Sequence, residues 1–173
     1  MGPSRYAIVV ARSAEEIEAA RLLFREYRAE LGVDLGFQGF DEEVASLPGE
    51  YRPPGGELWL AVGDEGAVGC GGLRPFSPEV AEMKRLYVRP AARGAGVGRR
   101  LAQAIVTTAR AADYRAIVLD TLATMAEAQA LYRSLGFREI PPYRFNPLAG
   151  ARYYRLDLDR ASGPVASPRG TDK

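Results

Sequence analysis

Histidine is absent from all 173 residues of the chain. That excludes a Ser-His-Asp or Cys-His nucleophile and any histidine-ligated zinc. Proton transfers must then fall to carboxylates, tyrosine, lysine, the lone cysteine or water. A single cysteine, Cys70, excludes an internal disulfide and a cysteine metal cluster, so no metal is expected. No apolar run reaches the ~20 residues of a membrane span, and the N-terminus shows no apolar signal segment. Acidic and basic residues nearly cancel, 22 against 23, for a net charge of +1. This speaks against a general nucleic-acid or membrane surface. The expectation is a cytoplasmic protein with one domain over residues 1–159, long enough for a proper core. Residues 160–173 are small, polar and proline-rich, and are expected to form a flexible tail.

What is present centres on Glu82 to Leu101, E-M-K-R-L-Y-V-R-P-A-A-R-G-A-G-V-G-R-R-L. Its first seven residues have the pattern of a strand, which Pro90 must end because proline cannot donate to a ladder and disfavours helix before it. Arg93, Gly94, Gly96 and Gly98 follow, then a helical pattern. A glycine-rich turn into a helix leaves backbone N–H groups unpaired at the positive end of the helix dipole, a ready site for phosphate. Arg93, Arg99 and Arg100 add charge beside it. A P-loop is absent, since no Lys-Ser or Lys-Thr follows these glycines. A dinucleotide site remains an alternative, with Asp120 as its ribose acid, although the spacing is G-x-G-x-G and lies past mid-chain. A glycine turn without a ligand is the plain alternative.

Around this stretch the periodicities place Tyr6–Ala11 as a buried strand and Ser13 with Glu16 as a capping box. Ile17, Ala20, Phe24, Tyr27 and Leu31 then mark one helical face up to Gly32. A short helix is expected from about Asp41 to before Pro48. A hairpin is expected from Leu58–Val62 and Ala67–Leu73, thinned by Gly69, Gly71 and Gly72 as if something packs close. Cys70 there is expected as a small buried hydrophobe. Ala116–Thr121 reads as a strand covered on both faces. Thr124 with Glu127 suggests a second capping box, and Gly136–Phe137 a Schellman end with its hydrophobic follower. Two last strands lie in 137–140 and 153–158, able to stay internal or to pair in a homodimer.

R-G-A-G-V-G fits the Q/R-x-x-G-x-G/A signature of the GNAT-type N-acetyltransferases at Arg93, Gly96 and Gly98. K-R-L-Y-V-R-P before it and A-L-Y-R-S-L-G-F over 130–137 are similar to the family's flanking strand and C-terminal helix. The resemblance implies an α/β fold with a mixed, mostly antiparallel sheet of six to seven strands flanked by about four helices. It also implies acetyl-CoA as co-substrate, its pantetheine arm on Leu86, Tyr87 and Val88. Its pyrophosphate would lie on Arg93, Gly94, Ala95, Gly96, Val97, Gly98 and Arg99. Tyr132 matches the tyrosine that protonates the departing thiolate in many relatives. Glu82 stands where some relatives carry a catalytic base. Met125 replaces an asparagine that often touches the cofactor arm. Acceptor contacts are expected around Asp34, Phe37, Gln38 and Phe40, with Arg74 at the end of its strand as a further contact; a core-capping helix with a few exposed polar residues is the alternative for that region. A small-molecule primary amine is the expected acceptor. A protein amine, or a non-catalytic acyl-CoA sensor, is the alternative.

Overall fold

The computed structural model describes residues 4–159. The proposed tail over 160–173 lies outside the described residues. The elements run β1 (Ala7–Val10), α1 (Ala14–Leu31), α2 (Phe40–Ser46), β2 (Glu57–Gly63), β3 (Gly66–Pro75), β4 (Val80–Val88), α3 (Val97–Ala111), β5 (Ala116–Leu122), α4 (Ala126–Ser134), β6 (Arg138–Ile140) and β7 (Ala151–Asp157). Short 3-10 turns cover Gly36–Gln38 and Pro90–Ala92. The seven strands form one sheet in the order β1-β2-β3-β4-β5-β7-β6. Every neighbouring pair is antiparallel except β4 and β5.

Local chemistry explains the helix ends. Ser13 accepts from the Glu16 N–H at 3.1 Å, and the Glu16 carboxylate accepts from the Ser13 N–H at 2.9 Å, closing the expected capping box. α4 ends with the Phe137 N–H on the Tyr132 carbonyl and the Gly136 N–H on the Arg133 carbonyl, both at 3.0 Å. Gly136 has φ of 94°, and the Tyr132 and Phe137 rings meet 5.8 Å apart, which completes a Schellman motif. The second capping box does not form. The Met125 N–H is taken by the Leu122 carbonyl, Met125 becomes the N-cap, and no side chain caps α4.

The sheet is covered on both faces. α1 and α2 pack Leu23, Phe24, Phe40 and Val44 against Leu58, Leu60 and Cys70. α3 and α4 pack Ile105 and Tyr132 against Met83, Ile117, Leu119 and Tyr154. A fully buried Leu or Ile contributes roughly 1.5–3 kcal/mol, so these two layers hold the sheet in place. β3 is thin for a reason visible on each side. A Cβ at Gly71 would lie 2.9 Å from Ile105 Cδ1, and one at Gly72 would lie 2.6 Å from the Tyr51 ring.

Candidate active site

Two irregularities of β4 build the site. The parallel ladder with β5 stops at Glu82–Val118, after only three register pairs. β4 continues along β3 and β5 along β7, so the two strands splay apart beyond that point. A bulge also interrupts β4: Gly72 pairs with Lys84, but Cys70 pairs with Tyr87, and Arg85 adopts φ of 59°. Such an insertion re-aims side chains. Lys84 and Arg85, neighbours in a strand, both reach the α1/α2 face. Arg85 pairs with Glu43 of α2 at 2.8 Å, and Lys84 reaches Gln38 and Asp120.

The splay opens a groove of about 740 Å³ between α1, β4, α3 and the start of α4. This volume falls in the range of ordinary ligand clefts. Leu86, Tyr87 and Val88 line it from β4, and Arg93, Gly94, Gly96, Val97, Gly98 and Arg99 line it from the glycine loop. Ala95 is exposed but lies outside this lining. Gly96, with φ of 75°, is the N-cap of α3 and no side chain caps the helix. The first helical bond runs from the Arg100 N–H to the Gly96 carbonyl. The N–H groups of Val97, Gly98 and Arg99 therefore have no carbonyl behind them. The uncapped start of α4, with Thr124 and Glu127, lies on the opposite wall. Arg93 pairs with Glu30 at 2.6 Å, and Arg99 donates to Ser134 at 2.6 Å. Arg100 turns away, donating to Ser4 at 2.7 Å and to the Tyr6 carbonyl, so its charge does not join the loop as expected.

A second, smaller cavity of about 40 Å³ continues from the groove, sharing Tyr27, Leu31, Leu86 and Met125 with it. Tyr132 forms part of its wall, and Lys84, Arg85, Asp120, Thr121, Gln38 and Asn146 supply polar groups. Lys84 Nζ donates to Asp120 Oδ1 and to Gln38 Oε1, both at 3.2 Å. Burial and the neighbouring Arg85 push the Lys84 amine down to about 8, against the opposing pull of Asp120. Burial would raise the Asp120 carboxyl, but Lys84, with Arg144 and Arg85, more than offsets this and holds it below its ordinary range. Burial pushes the Tyr132 phenol up, so it keeps its proton throughout the neutral range.

Glu82 is placed differently from an open carboxylate at a strand start. It is fully buried, and its oxygens accept from Arg74 Nε at 2.9 Å, Arg144 at 2.7 Å and the Tyr143 hydroxyl at 2.7 Å. It lines neither cavity. Nor does it pair with Lys84, whose carboxylate partner is Asp120. Of the expected acceptor contacts, Gln38 lines the small cavity and Asp34, Phe37, Phe40 and Arg74 do not. Phe40 is 1% exposed and packs in the core under Arg85, Phe37 is 39% exposed, and Arg74 is taken up by Glu82 and Glu43. Gln38, between the two phenylalanines, accepts from Lys84 there, as the expectation for that stretch allowed. Asn146 gave no sequence signal. Asp120 did give one, a lone acid at the end of an apolar strand, which belongs to a buried site rather than to a ribose. Cys70 is fully buried and its Sγ donates to the Arg85 carbonyl at 3.3 Å. Burial pushes its thiol up, which disarms it as a nucleophile.

Known proteins share this architecture. A GNAT family acetyltransferase of Elizabethkingia anophelis, solved with acetyl-CoA bound, superposes with a TM-score of 0.64 at 20% identity, over 90% of this chain and all of that one. A GNAT family acetyltransferase of Staphylococcus aureus Mu50 gives a TM-score of 0.75 at 23% identity, over 89% of this chain and 99% of its own. In sequence, an uncharacterized N-acetyltransferase of Schizosaccharomyces pombe is 38% identical over 162 residues, spanning 92% of this chain and 99% of the relative. Residues 54–139, which hold the splayed strands and the glycine loop, match the family described as acetyltransferase (GNAT) domain. With that match and a near full-length relative, the chain belongs to the GNAT superfamily of N-acetyltransferases.

Proposed function

We propose that this protein transfers the acetyl group of acetyl-CoA to a primary amine of a small molecule, by direct attack of the amine. The observation that carries the reading is the groove, where a free β4 edge and two uncapped helix starts surround one cleft that leads to Tyr132. The donor set fits an extended, phosphorylated thioester. The amides of Val97–Arg99 suit a pyrophosphate, and the Leu86–Val88 edge suits an amide-bearing arm laid beside it like an added strand. When bound, acetyl-CoA supplies an electrophilic acyl carbon and a thiolate leaving group. Tyr132 stays protonated because it is buried, so its hydroxyl is a standing donor for that thiolate. Glu82, the base expected from the resemblance, serves instead as an anchor. It ties the loop that carries Tyr143, Arg144 and Asn146 to the sheet and so shapes the acceptor side. The small volume of the second cavity, about 40 Å³, supports a small amine head group.

The test is calorimetric and chemical. Acetyl-CoA at ~100 times its dissociation constant should stabilise the wild type by about 2.7 kcal/mol. In Gly96→Glu a side chain at φ of 75° strains the turn and sets a negative charge toward the phosphates, so the melting shift should vanish. Free thiol should appear when primary amines are added to the wild type. A shift that persists in Gly96→Glu places the ligand elsewhere, and binding without thiol release for any amine marks a non-catalytic acyl-CoA-binding domain.

A further inference from the structure

We propose that Lys84 is the base that accepts the proton of the acceptor's ammonium group, with Asp120 and Gln38 holding its amine at the apex of the splay. The inference rests on the acetyltransfer reading above and identifies the acceptor-side proton carrier within it.

Position is the first support. Lys84 stands two residues past the last β4–β5 register pair, and Asp120 stands two past the same pair on the facing strand. Both line the small cavity, whose other walls include Tyr132 and four residues shared with the groove. Its volume of about 40 Å³ suits a water or one small polar head. An amine entering it would share one cavity with Lys84, Asp120 and Tyr132.

Residue choice is the second. Of the 23 basic residues in the chain only two are lysines, Lys84 and Lys173. The other cations around the site, buried Arg85 and part-buried Arg74 and Arg144, are all arginines set against Glu43 or Glu82. Arginine forms better forked pairs with carboxylates but cannot give up its proton, whereas a buried lysine can. Arg85 lines the cavity as well but is forked onto Glu43, so Lys84 is the cation there whose carboxylate contact is single. It is 4% exposed and is held by single contacts rather than by a fork.

Electrostatics agrees. Lys84 faces Asp120 on β5, with Arg85 and Glu82 on its own strand, Arg74 on β3, Gln38 on the 3-10 turn and Tyr132 on α4. Burial and Arg85 outweigh Asp120 and leave the amine near 8, where its neutral form is populated at working pH. Glu82 has its oxygens occupied by Arg74, Arg144 and Tyr143 and is not free to take this proton.

The balance closes. One N–H proton passes from R–NH3+ to Lys84 Nζ, and the freed lone pair bonds to the acyl carbon as the C–S bond breaks. The second N–H proton replaces the one that Tyr132 donates to the thiolate. Amide and thiol result, and Lys84 releases one proton to solvent.

The experiment uses the full chain. Lysine side chains labelled with 13C and 15N give two signals, and loss of one in Lys84→Arg assigns it. With and without CoA, the Lys84 signal should titrate near pH 8. In parallel, kcat/KM against pH is measured with acetyl-CoA and glycine, L-aspartate, putrescine and ethanolamine as acceptors. Lys84→Arg and Lys84→Met should lose about 100-fold or more at pH 7 while keeping the acetyl-CoA melting shift. Their defect should shrink as pH approaches the amine's own pKa, with Glu82→Gln lacking that pattern. A Lys84 midpoint above 10 overturns the proposal whether or not an acceptor is found. So does a pH-independent loss in both Lys84 variants, or a pH-rescued loss in Glu82→Gln alone. Absence of turnover by the wild type with every amine counts against the acetyltransfer reading and leaves the titration to judge Lys84.

Discussion

Glu82→Ala is the perturbation that best separates an anchoring carboxylate from a solvated one. In the wild type three donors converge on this side chain, Arg74 Nε at 2.9 Å, Arg144 at 2.7 Å and the Tyr143 hydroxyl at 2.7 Å. Removing one partner from a buried charge cluster costs ~3–5 kcal/mol, because the opposite charges stay behind without compensation. Two features place this case at the lower end. Arg74 keeps Glu43 at 3.3 Å and Glu50 at 3.6 Å, and Arg144, 24% exposed, can turn toward water with its loop. The expected loss is about 3 kcal/mol, or a fall in Tm of roughly 6–12 °C for a chain of this size. Urea unfolding and thermal melting read the loss directly. Arg144→Ala should cost markedly less on top of Glu82→Ala than alone, with a coupling of about 1–3 kcal/mol. A loss below about 1 kcal/mol, the worth of an exposed pair, would refute the anchoring role, and so would strict additivity of the two substitutions.

Two other outcomes follow from the same site. Tyr132→Phe keeps the ring that packs on Phe137 and Tyr154, so the melting temperature and acetyl-CoA binding should hold while kcat falls about 100-fold with no rescue by alkali; normal turnover would leave the hydroxyl a packing group. Between pH 8 and 10.5 the unfolded chain keeps the Lys84 proton and the folded one has shed it, so stability rises with pH there, and the wild type should gain on Lys84→Met by up to about 3 kcal/mol in chemical unfolding; an unchanged gap would show that burial does not depress this amine.

Features written within a few residues were legible in the sequence. Ser13 with Glu16, Gly32, and Gly136 with Phe137 each act within one helical turn, and each stands where the spacing puts it. The glycine loop is of the same kind, since its unpaired amides follow from a strand stop, glycines and a helix start. Thr124 with Glu127 had the right spacing and failed because the helix starts one residue later, its first bond running from the Gln129 N–H to the Met125 carbonyl. Contacts that define the acceptor side are long-range. Glu82 meets Tyr143 61 residues away, and Lys84 meets Asp120 36 residues away and Gln38 46 residues away. Periodicity carries no such information. It could not foresee that Arg74 would be consumed by Glu43 and Glu82, whereas Phe40 took the core place that its spacing with Val44 and Leu47 allowed.

The bulge and the splay together explain why the polar residues of the site are tolerated. Had β4 and β5 stayed paired past Glu82–Val118, Lys84 and Asp120 would stand side by side on a closed sheet under α1, with no route for a ligand. Had β4 kept its regular alternation, Arg85 would point to the face that packs Ile105, where a guanidinium has no carboxylate. The left-handed turn at Arg85 sends it to Glu43 and the Phe40 ring instead, 5.0 Å away, and both it and Lys84 line the small cavity. One extra residue in β4 thus decides which cation is forked onto a glutamate and which is held by the single contacts that the proposed proton exchange needs.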